Sequence, residues 1–172
     1  MSAEGPSIPG TSRTWTIRGR QPGDLGRVLY LHGLVYAEEH GFDFTFEEYV
    51  AAGLAEFARS YSPERDRLWV VEADGQAVGS IAIFGRSPLE AQLRWFLVHP
   101  AYRGRGLGRS LLSEALDFCR ACGYRTVYLW TLGHLDAARH LYESAGFRKT
   151  DEKTHFLWGR MVTEERYELQ LS

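Results

Sequence analysis

The sequence predicts an α/β (α+β) fold, a mixed sheet with helices on both faces, and three observations support it. First, the apolar periodicity follows the order β, α, α, β, β, β, α, β, α, β, β along the chain. Second, Asp74-Gly75 between two apolar runs indicates a hairpin, so part of the sheet is antiparallel. Third, strand–helix–strand units in the second half favour parallel pairing. The length of 172 residues fits one domain with a proper core.

We expect residues 1–12, which are rich in Gly and Pro, to form a disordered tail, and residues 13–172 to form the single domain. The predicted strands are residues 14–18, 67–73, 77–84, 93–98, 126–131, 147–156 and 160–170, and the predicted helices are residues 24–41, 46–60, 106–122 and 134–145. Asp24 is a candidate N-cap and Gly41 a candidate C-cap of the first helix. Thr45 with Glu48 resembles a capping box for the second helix.

Composition and charge exclude several classes of protein. The formal net charge of −2 argues against a protein that coats or directly binds nucleic acid. No apolar run reaches the ~20 residues of a membrane span, and no signal peptide is evident, so we expect a cytoplasmic protein. Cys119 and Cys122 lie late in a predicted helix without a second pair, which favours structural thiols. The histidines lack metal-ligand spacing, and we expect no metal.

The stretch from Leu93 to Leu112 combines a buried strand, a glycine-rich turn and the start of a helix. The first N–H groups of a helix have no acceptor inside it, and the helix dipole adds partial positive charge at the same end. Glycines allow close approach of the backbone, and arginines add charge. The stretch therefore predicts a site that binds a phosphate-containing ligand.

The spacing of this turn does not match two common nucleotide-binding motifs. There is no GxxxxGK[ST] sequence, and Arg109 stands where a dinucleotide fingerprint needs its third glycine. As Arg103-x-x-Gly106-x-Gly108 after a strand, the turn resembles the pyrophosphate loop of the GNAT N-acetyltransferase superfamily. If this motif stood alone, the alternative interpretation would be a glycine-rich turn with a purely structural role.

A second segment strengthens the resemblance. Leu141 to Phe147, LYESAGF, is similar to the second signature of the superfamily, and the order of elements between the two motifs also agrees. The segments LHGLVYAEEHGFD and WGRMVTEERYELQL further resemble the acetyltransferase module of bacterial MarR–GNAT fusion proteins. Residues 1–12 cannot hold a winged helix, so we expect a stand-alone version of that module. The family's fold is a mostly antiparallel central sheet of about seven strands.

The resemblance implies acetyl-CoA as co-substrate and transfer of the acetyl group to an amine of a small molecule or a protein. By the family pattern, backbone groups of Leu97 and Val98 bind the pantetheine arm and the thioester. The turn and the first helical residues hold the pyrophosphate, and these are Arg103, Gly104, Arg105, Gly106, Leu107, Gly108 and Arg109. Ser110 could donate a hydroxyl to the phosphate, or it is a solvated helix serine.

Tyr142 matches the tyrosine that many family members place beside the sulfur of CoA. A phenol with a pKa of about 10 can return a proton to a leaving thiolate whose pKa is about 8.5. The alternative interpretation of Tyr142 is an aromatic core residue.

The general base is harder to assign from the sequence. Many relatives have a glutamate on the central strand in the register of Gln92, and a glutamine cannot act as a base. The remaining candidates are Glu38, Glu39, His40 and Glu90, or a chain of water molecules.

A second departure from the family is Leu135, which stands where many relatives use asparagine to contact the pantetheine arm. Together with Gln92 it leaves open an alternative function, a non-catalytic acyl-CoA sensor or a partner-recruiting module on the same fold.

The segment Arg160 to Leu171 is a candidate edge for pairing in a homodimer. Core packing is the default for the aromatic cluster, with an acceptor pocket as the alternative; its members are Tyr36, Phe42, Phe44, Phe46 and Tyr49.

Overall fold

The computed structural model describes residues 14–172, so the predicted N-terminal tail lies outside the described residues. The strands are β1 Thr16–Gly19, β2 Arg67–Ala73, β3 Gln76–Gly85, β4 Glu90–Val98, β5 Thr126–Leu132, β6 Arg148–Leu157 and β7 Arg160–Gln170. The helices are α1 Asp24–His40, α2 Phe44–Arg59, α3 Leu107–Ala121 and α4 Asp136–Ser144, with a 3₁₀ turn at Pro100–Tyr102.

The seven strands form one sheet in the order β1-β2-β3-β4-β5-β7-β6. Every neighbouring pair is antiparallel except β4 and β5, which are parallel and are connected through α3. The prediction of a mixed, mostly antiparallel sheet with helices is therefore confirmed.

Two apolar clusters pack against opposite faces of the sheet. The first lies under α3 and contains Leu107, Leu111 and Leu116 together with strand residues such as Ile81 and Leu129. The second lies under α1 and α2 and contains Val28, Phe46, Val50, Phe57 and Trp95. Helices therefore cover both faces, which is what the sequence predicts.

The two N-terminal helices begin differently from the prediction. Gly23, with φ 89°, is the N-cap of α1, and Asp24 is a buried first-turn residue that accepts hydrogen bonds from Arg18 at 2.7 and 3.1 Å. Asp43 caps α2, because its carboxylate accepts from the Thr45 amide at 2.9 Å. The predicted cap at Asp24 and the capping box at Thr45 are therefore wrong, whereas Gly41 is the C-cap of α1, as predicted.

The C-terminal strand β7 is not a sheet edge. It pairs with β5 on one side and with β6 on the other, so its backbone groups are already used within the chain. The prediction that Arg160 to Leu171 offers a free edge for a homodimer is wrong. The edge on this side is β6, whose side chains are mostly exposed.

Candidate active site

The parallel strands β4 and β5 diverge after a short paired segment. Glu90–Gln92 pairs with Thr126–Tyr128, and beyond these residues the two strands have no ladder partners in common. Because strands in a sheet normally lie about 4.8 Å apart, the divergence opens the middle of the sheet.

A β-bulge in β4 lies at this opening. Ser80 pairs with Leu97 and Ala82 pairs with Arg94, so one residue of β3 faces two of β4, Trp95 and Phe96. Trp95 has a φ of 47°, and its carbonyl accepts a hydrogen bond of 2.6 Å from the Ser80 hydroxyl. A bulge changes the side to which later side chains point. Trp95 thus joins the core under α1 and α2, and Phe96 lines the opening.

The glycine-rich turn follows β4 and ends at the first residue of α3. Gly104 and Gly106 have φ of 77° and 78°, values that favour glycine. The first helical hydrogen bond runs from the Ser110 amide to the Gly106 carbonyl at 3.0 Å. The amides of residues 104–109 have no backbone acceptor in the described part of the chain. Six successive N–H groups are thus available to a ligand.

A cleft of about 590 Å³ lies over this turn and reaches into the divergence between β4 and β5. Eight of the ten predicted cofactor-binding residues line it: Leu97, Val98, Arg103, Gly104, Gly106, Leu107, Gly108 and Arg109. Arg105 and Ser110 do not. The Arg105 guanidinium lies 5.9 Å from the Tyr102 ring centroid, and the Ser110 hydroxyl donates to the Gly106 carbonyl at 3.1 Å.

Arg103 connects the turn to α1. Its guanidinium donates two hydrogen bonds to the Glu39 carboxylate, at 2.7 and 2.8 Å, and its Nε donates to the Val98 carbonyl at 2.9 Å. The hydrogen bonds from Arg103 hold the pKa of Glu39 below its ordinary value. Glu39 lines the cleft, but this ion pair makes it a weak base.

The other two candidate carboxylates lie away from the cleft. Glu38 is exposed on α1 and lines neither the cleft nor the cavity described below, because a helix turns successive side chains to different faces. Glu90 begins β4, and at about 3.3 Å per residue it lies ~20 Å along the strand from Phe96. The structure does not bring Glu38 or Glu90 to the predicted site.

Tyr142, on α4, is buried at the inner end of the cleft. Its ring contacts Phe96, Phe147 and Tyr167 with centroid distances of 6.1, 5.8 and 6.2 Å. Burial raises the pKa of Tyr142 above its ordinary value, and the nearby Tyr36 hydroxyl adds to the shift. The phenol is therefore protonated throughout the neutral range.

A smaller cavity of about 150 Å³, here called the inner cavity, lies between β4, β5 and α2. It shares five lining residues with the cleft: Tyr36, Phe96, Leu135, Ala138 and Tyr142. Members of the aromatic cluster, Tyr36, Phe46 and Tyr49, form part of its wall with Trp158, whereas Phe44 is 78% exposed. The cluster therefore packs as a core and also lines a cavity.

Gln92 lies in the wall of the inner cavity. Its side-chain oxygen accepts hydrogen bonds from Arg86 Nε at 2.9 Å and Arg86 Nη2 at 2.6 Å, and from the Tyr128 hydroxyl at 3.3 Å. Arg86 also donates to Glu56 at 3.1 Å. The side chain of Gln92 is thus held in one orientation, and its oxygen already accepts three hydrogen bonds.

Sequence reasoning missed a histidine pair at the outer end of the cleft. The Nε2 atom of His134 lies 3.1 Å from Nδ1 of His40, and both residues line the cleft. Burial lowers the pKa of His40, and the adjacent His134 lowers it further. The two residues are 94 positions apart, so no local pattern indicates the pair.

Residues 14–172 contain neither a metal-binding cluster nor a helix suited to a membrane. No group of three or more His, Cys, Asp and Glu side chains in this range could hold a metal ion. None of its helices combines the length and the apolar character that crossing a membrane requires.

Comparison with known proteins agrees with this geometry. The family model described as "Acetyltransferase (GNAT) family" matches residues 34–147. The chain belongs to the GNAT acetyltransferase family. The match extends from α1 to the end of the second signature, so it contains the bulged strand, the glycine-rich turn and Tyr142.

Individual relatives differ in length from this GNAT protein. It is 36% identical over 119 residues to N-acetyltransferase family 8 member 3 of Rattus norvegicus. The aligned region covers 63% of this chain and 52% of that relative. It is 39% identical over 98 residues to the N-alpha-acetyltransferase RimI of Mycobacterium tuberculosis, covering 55% of this chain and 60% of that one. The chain thus spans about half the length of some curated relatives that it matches.

Solved structures share the fold. The structure of yncA from Salmonella typhimurium, a putative acetyltransferase with its cofactor acetyl-CoA, superposes with a TM-score of 0.70 at 22% identity. It covers 92% of this chain and 95% of that one.

Proposed function

We propose that the protein is an acetyl-CoA-dependent N-acetyltransferase that moves the acetyl group to a primary amine of a small molecule or a protein by direct attack within a ternary complex. The observation that supports this most is the run of six unpaired amides from residue 104 to 109 beside the opening between β4 and β5. Such a run suits a pyrophosphate, and the neighbouring opening between the two strands offers a place for an extended acyl-thioester arm.

The residues of the cleft fit the phosphate end of that ligand. Gly104 and Gly106 leave open space where a Cβ would stand, so the backbone is accessible. Arg109 lines the cleft and forms no ion pair within the part of the chain described, which leaves its charge for a phosphate. Arg103 contributes by holding α1 against the turn, and its charge is balanced by Glu39.

In the proposed reaction the neutral amine nitrogen forms a bond to the thioester carbonyl carbon, and the bond from that carbon to sulfur breaks. The proton that the nitrogen loses as the amide forms replaces the one that Tyr142 gives to sulfur. Tyr142 donates its proton to the leaving thiolate, since its hydroxyl is protonated at neutral pH and lies where the cleft and the inner cavity meet. Attack requires an amine that has already lost a proton, because an ammonium group has no lone pair.

For removal of that amine proton we propose His40 in preference to the three carboxylates. His40 lines the cleft, and its lowered pKa keeps it neutral at pH 7. Its contact with His134 gives the proton a route towards solvent. Glu39 is occupied by Arg103, and Glu38 and Glu90 lie elsewhere.

Calorimetry with acetyl-CoA, followed by a thiol-release assay over a panel of amines, tests the proposal. We expect saturable binding and turnover of at least one class of amine. Absence of binding at millimolar acetyl-CoA would contradict the proposal. Binding without turnover of any amine would favour the acyl-CoA sensor instead. The likeness to the module of MarR–GNAT fusions and the cytoplasmic location stay predictions from the sequence.

A further inference from the structure

The wall of the inner cavity that β4 provides is rich in hydrogen-bond donors. Gln92 and Arg94 are two positions apart on the strand, so their side chains lie on the same face of the sheet, and both line the cavity. The cavity connects with the cleft at Tyr142, where the proposed acetyl transfer takes place. What this wall binds therefore lies next to the reacting groups.

The side-chain amide of Gln92 is oriented by its neighbours. Three hydrogen bonds, two from Arg86 and one from the Tyr128 hydroxyl, converge on its oxygen. Arginine can only donate, so this network assigns the oxygen to that position and leaves the NH₂ group as the free end. No hydrogen-bond acceptor for this NH₂ group is present among residues 14–172. The position thus presents a donor, where a glutamate would present an acceptor.

Arg94 is a cation without a carboxylate partner. Its guanidinium lies 4.6 Å from the Trp95 ring centroid and donates a long hydrogen bond of 3.5 Å to the Tyr49 hydroxyl. No carboxylate in the described part of the chain lies within salt-bridge distance of it. The space that it occupies depends on Gly53, because a Cβ there would lie 2.9 Å from Nη2 and 3.1 Å from the Trp95 ring.

Among the described residues that line the cavity, no free carboxylate balances the charge of Arg94. Glu164 is the single carboxylate among the described residues that line it. Its Oε2 atom is 2.7 Å from His155 Nε2, so it already has a partner. A partly buried cation and an unpaired amide donor on one wall favour an anionic group in the ligand.

We propose that Gln92 and Arg94 bind a carboxylate of the acceptor, so that the acceptor is a small amine that also bears an acid group, such as an amino acid. The inference rests on the proposed acetyl transfer for the position of the amine. The volume of about 150 Å³ restricts the part of the acceptor that enters the inner cavity to a small group. The rings of Trp95 and Tyr49, whose centroids lie 4.6 and 5.9 Å from the guanidinium, hold it in place.

Matched pairs of acceptors test the proposal: several amino acids, each compared with the amine that lacks its carboxylate. The readouts are kcat/KM by thiol release and binding of acetyl-CoA by calorimetry. We expect the wild-type protein to prefer the acid-bearing member by roughly tenfold or more, since a charge-assisted pair is lost with the other member.

Two substitutions connect this preference with the two residues. We expect Arg94→Met to lower kcat/KM for the amino acids by roughly tenfold or more and to change that for the plain amines by about twofold or less. Gln92→Glu should reverse the preference, because it places a negative charge opposite the carboxylate. Arg120→Met is the matched control, since Arg120 lies on the outer surface of α3 and pairs with Asp117.

The outcomes separate this inference from the proposed function. Equal loss for both members of each pair in Arg94→Met, no preference for the acids, or turnover of plain amines alone would overturn the inference and leave acetyl transfer standing. Calorimetric titration of an amino acid into the protein without acetyl-CoA adds a readout that needs no turnover. One outcome would support the inference and refute the proposed function: the wild type binds the amino acid, Arg94→Met does not, and neither binds acetyl-CoA. If the wild type shows no amino-acid binding and no turnover, both the inference and the proposed function are refuted.

Discussion

Glu39 and Arg103, 64 positions apart, form a bidentate ion pair across the outer end of the cleft, with distances of 2.7 and 2.8 Å between the guanidinium nitrogens and the carboxylate oxygens. The pair fixes the C-terminal turn of α1 against the turn that precedes α3. Both side chains are part-exposed, 33% and 42%, so the pair is reachable by solvent. Its main effect is therefore on geometry, because exposed ion pairs contribute little to stability.

Replacement of Glu39 by Gln should reduce the free energy of unfolding by about 0.5–1 kcal/mol at pH 7. The folded-state pKa of Glu39 is lowered by hydrogen bonds from Arg103, so the stabilisation is present above the unfolded pKa and is lost as pH falls through the folded value. The difference between wild type and variant should thus begin to shrink as pH falls below the ordinary glutamate pKa of about 4.3, and it should be gone below the lowered folded value. Urea unfolding at several pH values measures it. Glu38→Gln is the control, and an equal effect from it would argue against a specific pair.

Replacement of Tyr142 by Phe should lower kcat by roughly 100-fold or more, because the variant cannot donate a proton to the thiolate. The ring and its contacts with Phe96 and Phe147 remain, so folding and acetyl-CoA affinity should change little. Thiol release and calorimetry give the two values. Nearly unchanged turnover would remove Tyr142 from the mechanism.

Replacement of Gly106 by Ala should weaken acetyl-CoA binding by roughly tenfold. The φ of 78° costs a residue with a Cβ about 1–2 kcal/mol, so the turn would leave the conformation that presents its amides. Space is not the cause, since no atom lies within 4 Å of the added Cβ. The matched control is Gly26→Ala on the exposed side of α1, which should stabilise the protein by about 0.5–1 kcal/mol and leave binding intact. Unchanged affinity in Gly106→Ala would contradict the assignment of the turn.

His32 should make the protein less stable in mild acid. It is buried within α1, its Nδ1 is 2.8 Å from the Val28 carbonyl, and burial lowers its pKa from 6.5 to about 4. A depressed histidine pKa gives stability that is complete above pH 6.5 and declines as pH falls towards 4, by about 3 kcal/mol in total.

Urea unfolding of wild type and His32→Leu between pH 7.5 and 4.5 measures this loss. The variant should show a flatter pH dependence over that range. His140→Leu, at an exposed position on α4, is the control and should keep the wild-type slope. Equal slopes for wild type and His32→Leu would show that another group titrates.

Local patterns predicted most of the fold and the glycine-rich turn. Gly104 and Gly106 have the positive φ that favours glycine, and the apolar period changes from strand to helix next to them, so the turn is encoded within about 20 residues. The cap of α2 was missed because Asp43 competes with Thr45 at neighbouring positions and only the final backbone selects between them.

The sequence by itself determined the order of strands and helices, the glycine-rich turn and the helix that carries Tyr142, because each depends on residues that are near one another in the chain. Only the tertiary structure decided that Glu39 is paired with Arg103, that His40 meets His134, and that Gln92 presents donors beside an unpaired Arg94. The first two are contacts between segments 64 and 94 positions apart, and the third depends on which side chains the fold brings near Gln92 and Arg94. Charge partners and burial set what a side chain can do chemically, and both are properties of the folded chain.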